Sequence, residues 1–306
     1  MKRFLQACIE LTKPRLTSLV ILTTWLGYAF ASHPMRYDAR FFHALIGSWL
    51  VASGAAALNE FMERDLDSLM KRTQVRPLPQ KRISPKAAFW FGMVISAIGV
   101  LELAIFVNPL TSLLSLISIV SYLFVYTPLK TRTSLCTIVG AIPGAIPPMM
   151  GWTAARNSID PGALVLFGIL FLWQLPHFLA IAWMYREDYA RAGFPMLPVV
   201  DPDGESTSRM IILYTAVLVP VTLMPTRLGL TGFSYFWAAL ALGAAFFAFG
   251  TFTAFYRTAA NARRLLLASV LYLPTLLTWM ACAKITPIGD ALMPMGHRSF
   301  ENGRQW

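Results

Sequence analysis

Along most of this chain the apolar residues run in blocks of about twenty, separated by short polar stretches. Twenty residues of helix rise about 30 Å, the thickness of a bilayer's hydrocarbon core. Nine such blocks stand out, at about 16–34, 41–60, 87–107, 110–127, 135–154, 162–184, 209–226, 232–255 and 265–284. The pattern predicts an all-α protein, a polytopic integral membrane bundle of about nine transmembrane helices forming a single domain over 1–306. Two polar breaks are long, 61–86 and 185–208, whereas connections on the opposite face, such as 107–110, are minimal. The two long breaks follow the second and sixth blocks and echo each other, as ERDLDSLMKRTQVRPLP and REDYARAGFPMLPVV. That echo suggests two halves of similar construction with a site where they meet.

Composition removes the main alternative. Of 306 residues, 56% are hydrophobic and only 13% charged, against about one-quarter charged in soluble domains. No room is left for a separate soluble domain. The net charge of +11 raises the question of nucleic acid, but its distribution answers it. With the N-terminus in the cytoplasm, 19 of the 26 Lys and Arg residues fall on inner segments and 7 on outer ones. This is the bias that orients membrane proteins, so the expected partner is membrane lipid, not nucleic acid. It puts both long loops, and any chemistry they carry, on the cytoplasmic side. The N-terminus shows no apolar core and cleavage site of a signal peptide, and a bacterial inner membrane is the expected location. Cys8, Cys136 and Cys282 lie far apart and read as packing residues.

Chemistry concentrates at the end of the second block. Asn59, Glu63 and Asp67 fall at i, i+4 and i+8, one helical stripe with about 6 Å of rise between neighbours, and Glu60 lies within a turn of it. Such oxygen ligands suit Mg²⁺, which takes one or two carboxylates and leaves positions open for a diphosphate. The plainer reading is a solvated helix end with i,i+4 pairs, but Glu63 and Asp67 would then repel with no cation between them. Arg64, Lys71, Arg72, Arg76, Lys81 and Arg82 follow. Arg72 and Arg76, in the RTQVRPLP turn, are the expected diphosphate contacts, and Lys81 and Arg82 read as topological charge.

Three further groups are weaker signals. Tyr126, Lys130 and Arg132 occupy the short loop VYTPLKTRTS, close enough to the bundle mouth to meet the same diphosphate or simply to mark the inner face. Glu187 and Asp188 follow the sixth block and would supply a second metal site, close the first from the opposite half, or lie on solvated surface. His177, inside that block, is open to three roles: ligating a metal centre on an acceptor, acting as a base, or hydrogen-bonding a neighbouring helix. His33, His43 and His297 fall near outer boundaries, and Glu102 is expected to snorkel to the outer interface.

These motifs resemble those of the UbiA-type membrane prenyltransferases. The first loop resembles their N-D-x-x-D-x-x-x-D motif, here Asn59, Glu60, Glu63 and Asp67. The strings NEFMERDLDSLMKRTQVRPLP, YTPLKTRTS, GAIPGAIPPMMGW, WQLPHF and DYARAGFPMLPVV resemble the heme-farnesylating branch of that family. The resemblance implies helices around a central cavity, and Mg²⁺-assisted ionisation of farnesyl diphosphate with heme b as acceptor. It implies Mg²⁺–diphosphate on Asn59, Glu60, Glu63 and Asp67, with Lys130, Arg132, Arg72 and Arg76 on phosphate oxygens. His177 becomes a contact to the heme, and a heme A synthase or terminal oxidase assembly becomes the expected partner. Two departures stand out: Glu60 and Glu63 replace aspartates, and Tyr185 and Tyr189 stand where a second D-x-x-x-D motif would place them. Rival readings are a transferase of this type acting on another aromatic or chlorin acceptor, and a secondary transporter. Transporters place polar groups near the midplane, whereas these crowd one surface.

Overall fold

The computed structural model describes residues 2–32 and 37–285, so the last residues of the first predicted block, His33 and His297 lie outside the described residues. A short helix α1 (Lys2–Leu11) leads into α2 (Pro14–Ala31), α3 (Ala39–Asp67), α4 (Pro85–Phe106) and α5 (Pro109–Val120). The last of these continues through a π-helical segment, Ser121–Tyr126, into the single turn α6 (Thr127–Leu129). Then come α7 (Cys136–Arg156), α8 (Pro161–Met184), the short α9 (Arg186–Arg191) and α10 (Leu197–Val200), and finally α11 (Glu205–Arg227), α12 (Phe233–Phe255) and α13 (Ala259–Cys282). Among the described residues the only β pairing is an isolated bridge between Thr231 and Lys284.

Local chemistry sets the helix starts. Proline opens α2, α4, α5 and α8, where its missing N–H costs nothing. Asp38, Ser84 and Asn108 cap α3, α4 and α5 by accepting from Phe41, Ala87 and Thr111 backbone N–H groups at 3.0, 3.2 and 2.8 Å. Counting α5, the π segment and α6 as one, nine long helical segments occur among the described residues, and seven are long and apolar enough to cross a membrane. The two others are α2 and α7. They pack on each other so closely that a methyl group on Gly151 of α7 would run into the Thr24 carbonyl of α2. Helices screened from lipid by protein tolerate the Thr, Gly and Pro that lower their hydropathy.

The outer surface carries large exposed apolar side chains, among them Trp90, Ile105, Phe124, Phe233, Trp237 and Leu271, a belt suited to lipid. Between them, α2, α3, α5, the π segment, α7, α8 and α13 line a partly open cavity of about 320 Å³. Its walls include Thr23, Ala55, Tyr122, Pro147, Trp173 and His177. At one end of the bundle lie the junction of α1 and α2, the end of α3 and the turns after α3, α6 and α8, joined by Glu10–Arg82, Lys13–Asn59, Lys130–Glu63 and Arg72–Tyr189 contacts. At the far end Glu102, expected to snorkel, instead meets His43 Nδ1 at 2.7 Å.

Candidate active site

The second predicted block was expected to end near residue 60, but α3 runs on to Asp67. Those two extra turns put Glu63 and Asp67 on the same helix as Asn59 and Glu60, and all four are buried. Buried carboxylates need partners. Lys13, at the junction of α1 and α2, places its Nζ 3.2 Å from Asn59 Oδ1, donating to it, and 3.7 Å from Glu60 Oε1. Lys130, just past α6, donates to Glu63 Oε1 at 2.7 Å. Arg76 donates to Asp67 Oδ2 at 2.6 Å and its Nε lies 3.8 Å from Glu60 Oε1. Asn59 Nδ2 donates to Thr127 Oγ1 at 3.1 Å. Three carboxylates thus meet three cations, each from a different segment.

Arg76 reaches Asp67 because the chain doubles back. Thr73 Oγ1 donates to the Asp67 carbonyl at 2.8 Å, Arg76 N donates to the Thr73 carbonyl at 3.0 Å, and buried Leu78 anchors the turn. Lys13 adopts a left-handed backbone, φ 48°, an uncommon conformation that turns its side chain inward as α2 begins. Burial, helped by nearby Arg76, pushes the Lys13 ammonium down to about 8 despite Glu60 and Glu63. At Lys130 burial works the same way, but Tyr126 and Glu63 outweigh it and hold the charge well above the usual lysine range. Arg76 is raised likewise, with burial opposed chiefly by Asp67 and Glu60. The Lys130 Nζ also sits 5.0 Å from the Tyr126 ring centroid and 5.7 Å from that of Phe194.

Two oxygens remain without a donor: Glu60 Oε2 and Asp67 Oδ1 are buried and make no hydrogen bond. Buried acceptors of this kind are rare and suit a water or a cation. A hard divalent cation fits such oxygen donors. Even so, no three His, Cys, Asp or Glu side chains among the described residues converge on one metal position, because the cations hold the acidic stripe apart.

The remaining predicted residues are dispersed around this cluster. Arg72 is exposed and bridges the two long loops, with its guanidinium 5.3 Å and 5.7 Å from the Tyr185 and Tyr189 ring centroids and a 3.2 Å bond to Tyr189 Oη. Arg132 is exposed, with no side-chain partner among the described residues. Glu187 is exposed and Asp188 pairs with Arg191 at 3.0 Å; neither contacts the α3 carboxylates. Tyr126 stacks on Tyr122, centroids 5.5 Å apart, in the π segment that lines the cavity. His177 lies on the cavity wall, its Nδ1 2.7 Å from Ser269 Oγ and its ring stacked 5.0 Å from Trp173. Sequence reasoning missed Lys13, Thr127 and Ser269. For Lys13 a signal was present, a lysine directly before the proline that opens the first span.

The arrangement is an ionic cluster beside an apolar cavity, with Tyr126 lining the cavity and lying against Lys130. The family model described as the UbiA prenyltransferase family matches residues 20–283. A protoheme IX farnesyltransferase of Solibacter usitatus (strain Ellin6076) is 49% identical over 275 residues, covering 87% of this chain and 94% of that one. A protein of the same description from Koribacter versatilis (strain Ellin345) is 45% identical over 285 residues, covering 89% and 91%. Among solved structures, a UbiA homolog from Archaeoglobus fulgidus bound to GPP and Mg²⁺ superposes with a TM-score of 0.65, at 15% identity, over 90% of this chain and 100% of that one.

Proposed function

Since this chain belongs to the UbiA prenyltransferase family, we propose that it transfers the farnesyl group of farnesyl diphosphate to a vinyl group of heme b (protoheme IX), giving heme O. The observation that carries this reading is the cluster of three buried carboxylates and three cations that begins one turn of α3 beyond an apolar cavity. Curated relatives carrying that activity's name support the choice of acceptor.

Asn59, Glu60, Glu63 and Asp67 would hold Mg²⁺, which when bound supplies a Lewis acid at the departing diphosphate. The two donorless oxygens, on Glu60 and Asp67, are the reason for assigning it there. Glu187 is exposed and Asp188 is paired with Arg191, so neither offers a buried donorless oxygen for a second ion. Arg76 and Lys130 sit against the carboxylates as ready counter-charges for phosphate oxygens. Arg72 and unpartnered Arg132 extend that positive rim into the two loops. As the carbon–oxygen bond breaks, these side chains stabilise the leaving group with little covalent work by the protein. The cavity, at the small end of the usual range for ligand pockets, holds apolar substrate away from water and so protects an allylic cation from early capture. His177 faces that space as the contact for the heme. The charge bias supports a cytoplasmic mouth in a bacterial inner membrane, with product passed to a heme A synthase or terminal oxidase assembly.

The test is direct. Purified protein in lipid nanodiscs is given heme b, labelled farnesyl diphosphate and Mg²⁺, and the extracted heme is weighed by mass spectrometry. Farnesylated heme is expected. If heme returns unchanged while another aromatic or chlorin acceptor is prenylated, the family stands and this acceptor falls.

A further inference from the structure

The cavity wall holds a polar pair that the ionic chemistry does not use. His177 of α8 and Ser269 of α13 meet through Nδ1 and Oγ at 2.7 Å, inside a membrane-spanning part of the bundle. Ser269 is fully buried. Its single hydroxyl proton is committed to the Leu266 carbonyl, 2.6 Å away on the preceding turn. What remains on Oγ for the imidazole is a lone pair, so the proton between them belongs to Nδ1. A neutral imidazole carries one N–H, which leaves Nε2 with its lone pair free.

The surroundings fix the ring further. Trp173, one turn before His177, stacks on it with an interplanar angle of 27° and donates its Nε1–H to the Ser269 carbonyl at 2.8 Å. The tryptophan therefore holds the same serine from its backbone side. Phe178 closes on another side of the imidazole, edge-on at 5.6 Å. Nε2 makes no hydrogen bond to any described residue, and His177 lines the cavity. A histidine kept only to join two helices would be satisfied by the Nδ1 bond, and would gain nothing from an accessible lone pair opposite it.

We propose that Ser269 is a positioning residue: it locks His177 as the Nδ1–H tautomer and so presents the Nε2 lone pair to the cavity as an axial ligand for the iron of a porphyrin acceptor. This rests on the reading that the acceptor is a heme. Histidines that bind metal almost always donate their other N–H to a fixed acceptor, and loss of that acceptor commonly weakens binding 10- to 100-fold. Ser269 is that acceptor, and Trp173 holds it in place.

Two measurements separate this proposal from the functional reading. In protein labelled with ¹⁵N-histidine and free of heme, the His177 nitrogens report the tautomer directly. The expected result is a protonated Nδ1 and a bare Nε2 in the native chain, with the preference lost in Ser269→Ala. A protonated Nε2 in the native chain overturns the proposal, even if the variant proves unstable. Titration of ferric heme b is then followed by its Soret band and by electron paramagnetic resonance. A nitrogen-ligated spectrum is expected, lost in His177→Ala, with about tenfold weaker binding in Ser269→Ala. An unchanged affinity and spectrum in Ser269→Ala also overturns the proposal. The expected tautomer together with no heme binding by the native chain would instead sink the choice of acceptor, and with it the ligand role given to Nε2.

Discussion

The Lys130–Glu63 pair offers a prediction that separates architecture from chemistry. Its atoms lie 2.7 Å apart, with side-chain exposures of only 15% and 5%. At an effective dielectric near 20, two unit charges at that distance attract by about 6 kcal/mol before desolvation is subtracted. Removing one partner leaves the other charge buried, which typically costs about 3–5 kcal/mol. Lys130→Met and Glu63→Leu should each lower stability by an amount in that range, read by denaturant unfolding in mixed micelles. The double variant replaces the pair with apolar groups of similar bulk, a change that is often neutral or stabilising, and should recover most of the loss. Turnover should not follow. All three variants lack groups assigned to the diphosphate end, so heme farnesylation should stay at least about 100-fold down in the double variant, the scale of losing one charge-stabilising group. A stable double variant with turnover within a few-fold of the native chain would refute the assignment. Single variants that cost under about 1 kcal/mol would show instead that the pair is solvated.

Asp67→Asn should keep a folded bundle, since an amide oxygen still accepts from Arg76, yet lose about 100-fold in Mg²⁺-dependent transfer, measured as product mass. Lys13 gives a pH prediction with a definite sign. Its folded value of about 8 lies below the free value of 10.5, so between these the unfolded chain binds more protons and stability rises with pH. As Lys13 loses its charge near pH 8 it stops competing for Glu60, and Mg²⁺ affinity by calorimetry should tighten; Lys13→Met should erase that inflection while leaving affinity high throughout. Gly151→Ala should lower the free energy of unfolding by about 1–3 kcal/mol, read by denaturant titration, because its methyl group meets the Thr24 backbone, which has no rotamer to yield.

The bundle was legible because lipid imposes a length and a composition on every span. The predicted blocks and the helices agree to within a few residues at most ends, with Asn108–Pro109 and Asp160–Pro161 marking starts plainly. The greatest departures are the two extra turns of α3 and the early start of α13 at Ala259, where polar residues continue a helix beyond the apolar block. Hydropathy cannot see helix that leaves the hydrocarbon. It also passed over α1, whose Ala7, Cys8 and Leu11 pack inward while Phe4, Leu5 and Ile9 stay exposed. Ten residues are too few to span, and their pattern is that of a helix lying at an interface. At the site, the acidic stripe was visible from spacing alone. Which cation meets which carboxylate was not, because Lys13, Arg76 and Lys130 come from segments whose approach is set by tertiary packing.

That pairing changes what the acidic stripe implies. Read from the sequence, Glu63 and Asp67 one turn apart demand a cation, and a metal is the obvious candidate. In the structure the demand is met by Lys130 and Arg76, so repulsion between the two carboxylates says nothing about Mg²⁺. The case for the ion passes to a smaller feature, the second oxygens of Glu60 and Asp67, which no donor reaches. Each belongs to a carboxylate whose other oxygen faces Arg76, at 3.8 and 2.6 Å. One guanidinium thus faces both carboxylates, bonding one oxygen of Asp67 and standing beyond hydrogen-bond reach of Glu60. A site built purely for stability would close those oxygens with a donor, as Lys13 does for Asn59 Oδ1. Leaving them open in a buried place carries a penalty of about 1–3 kcal/mol apiece, and a chain that carries two on one helix is arranged for something that arrives.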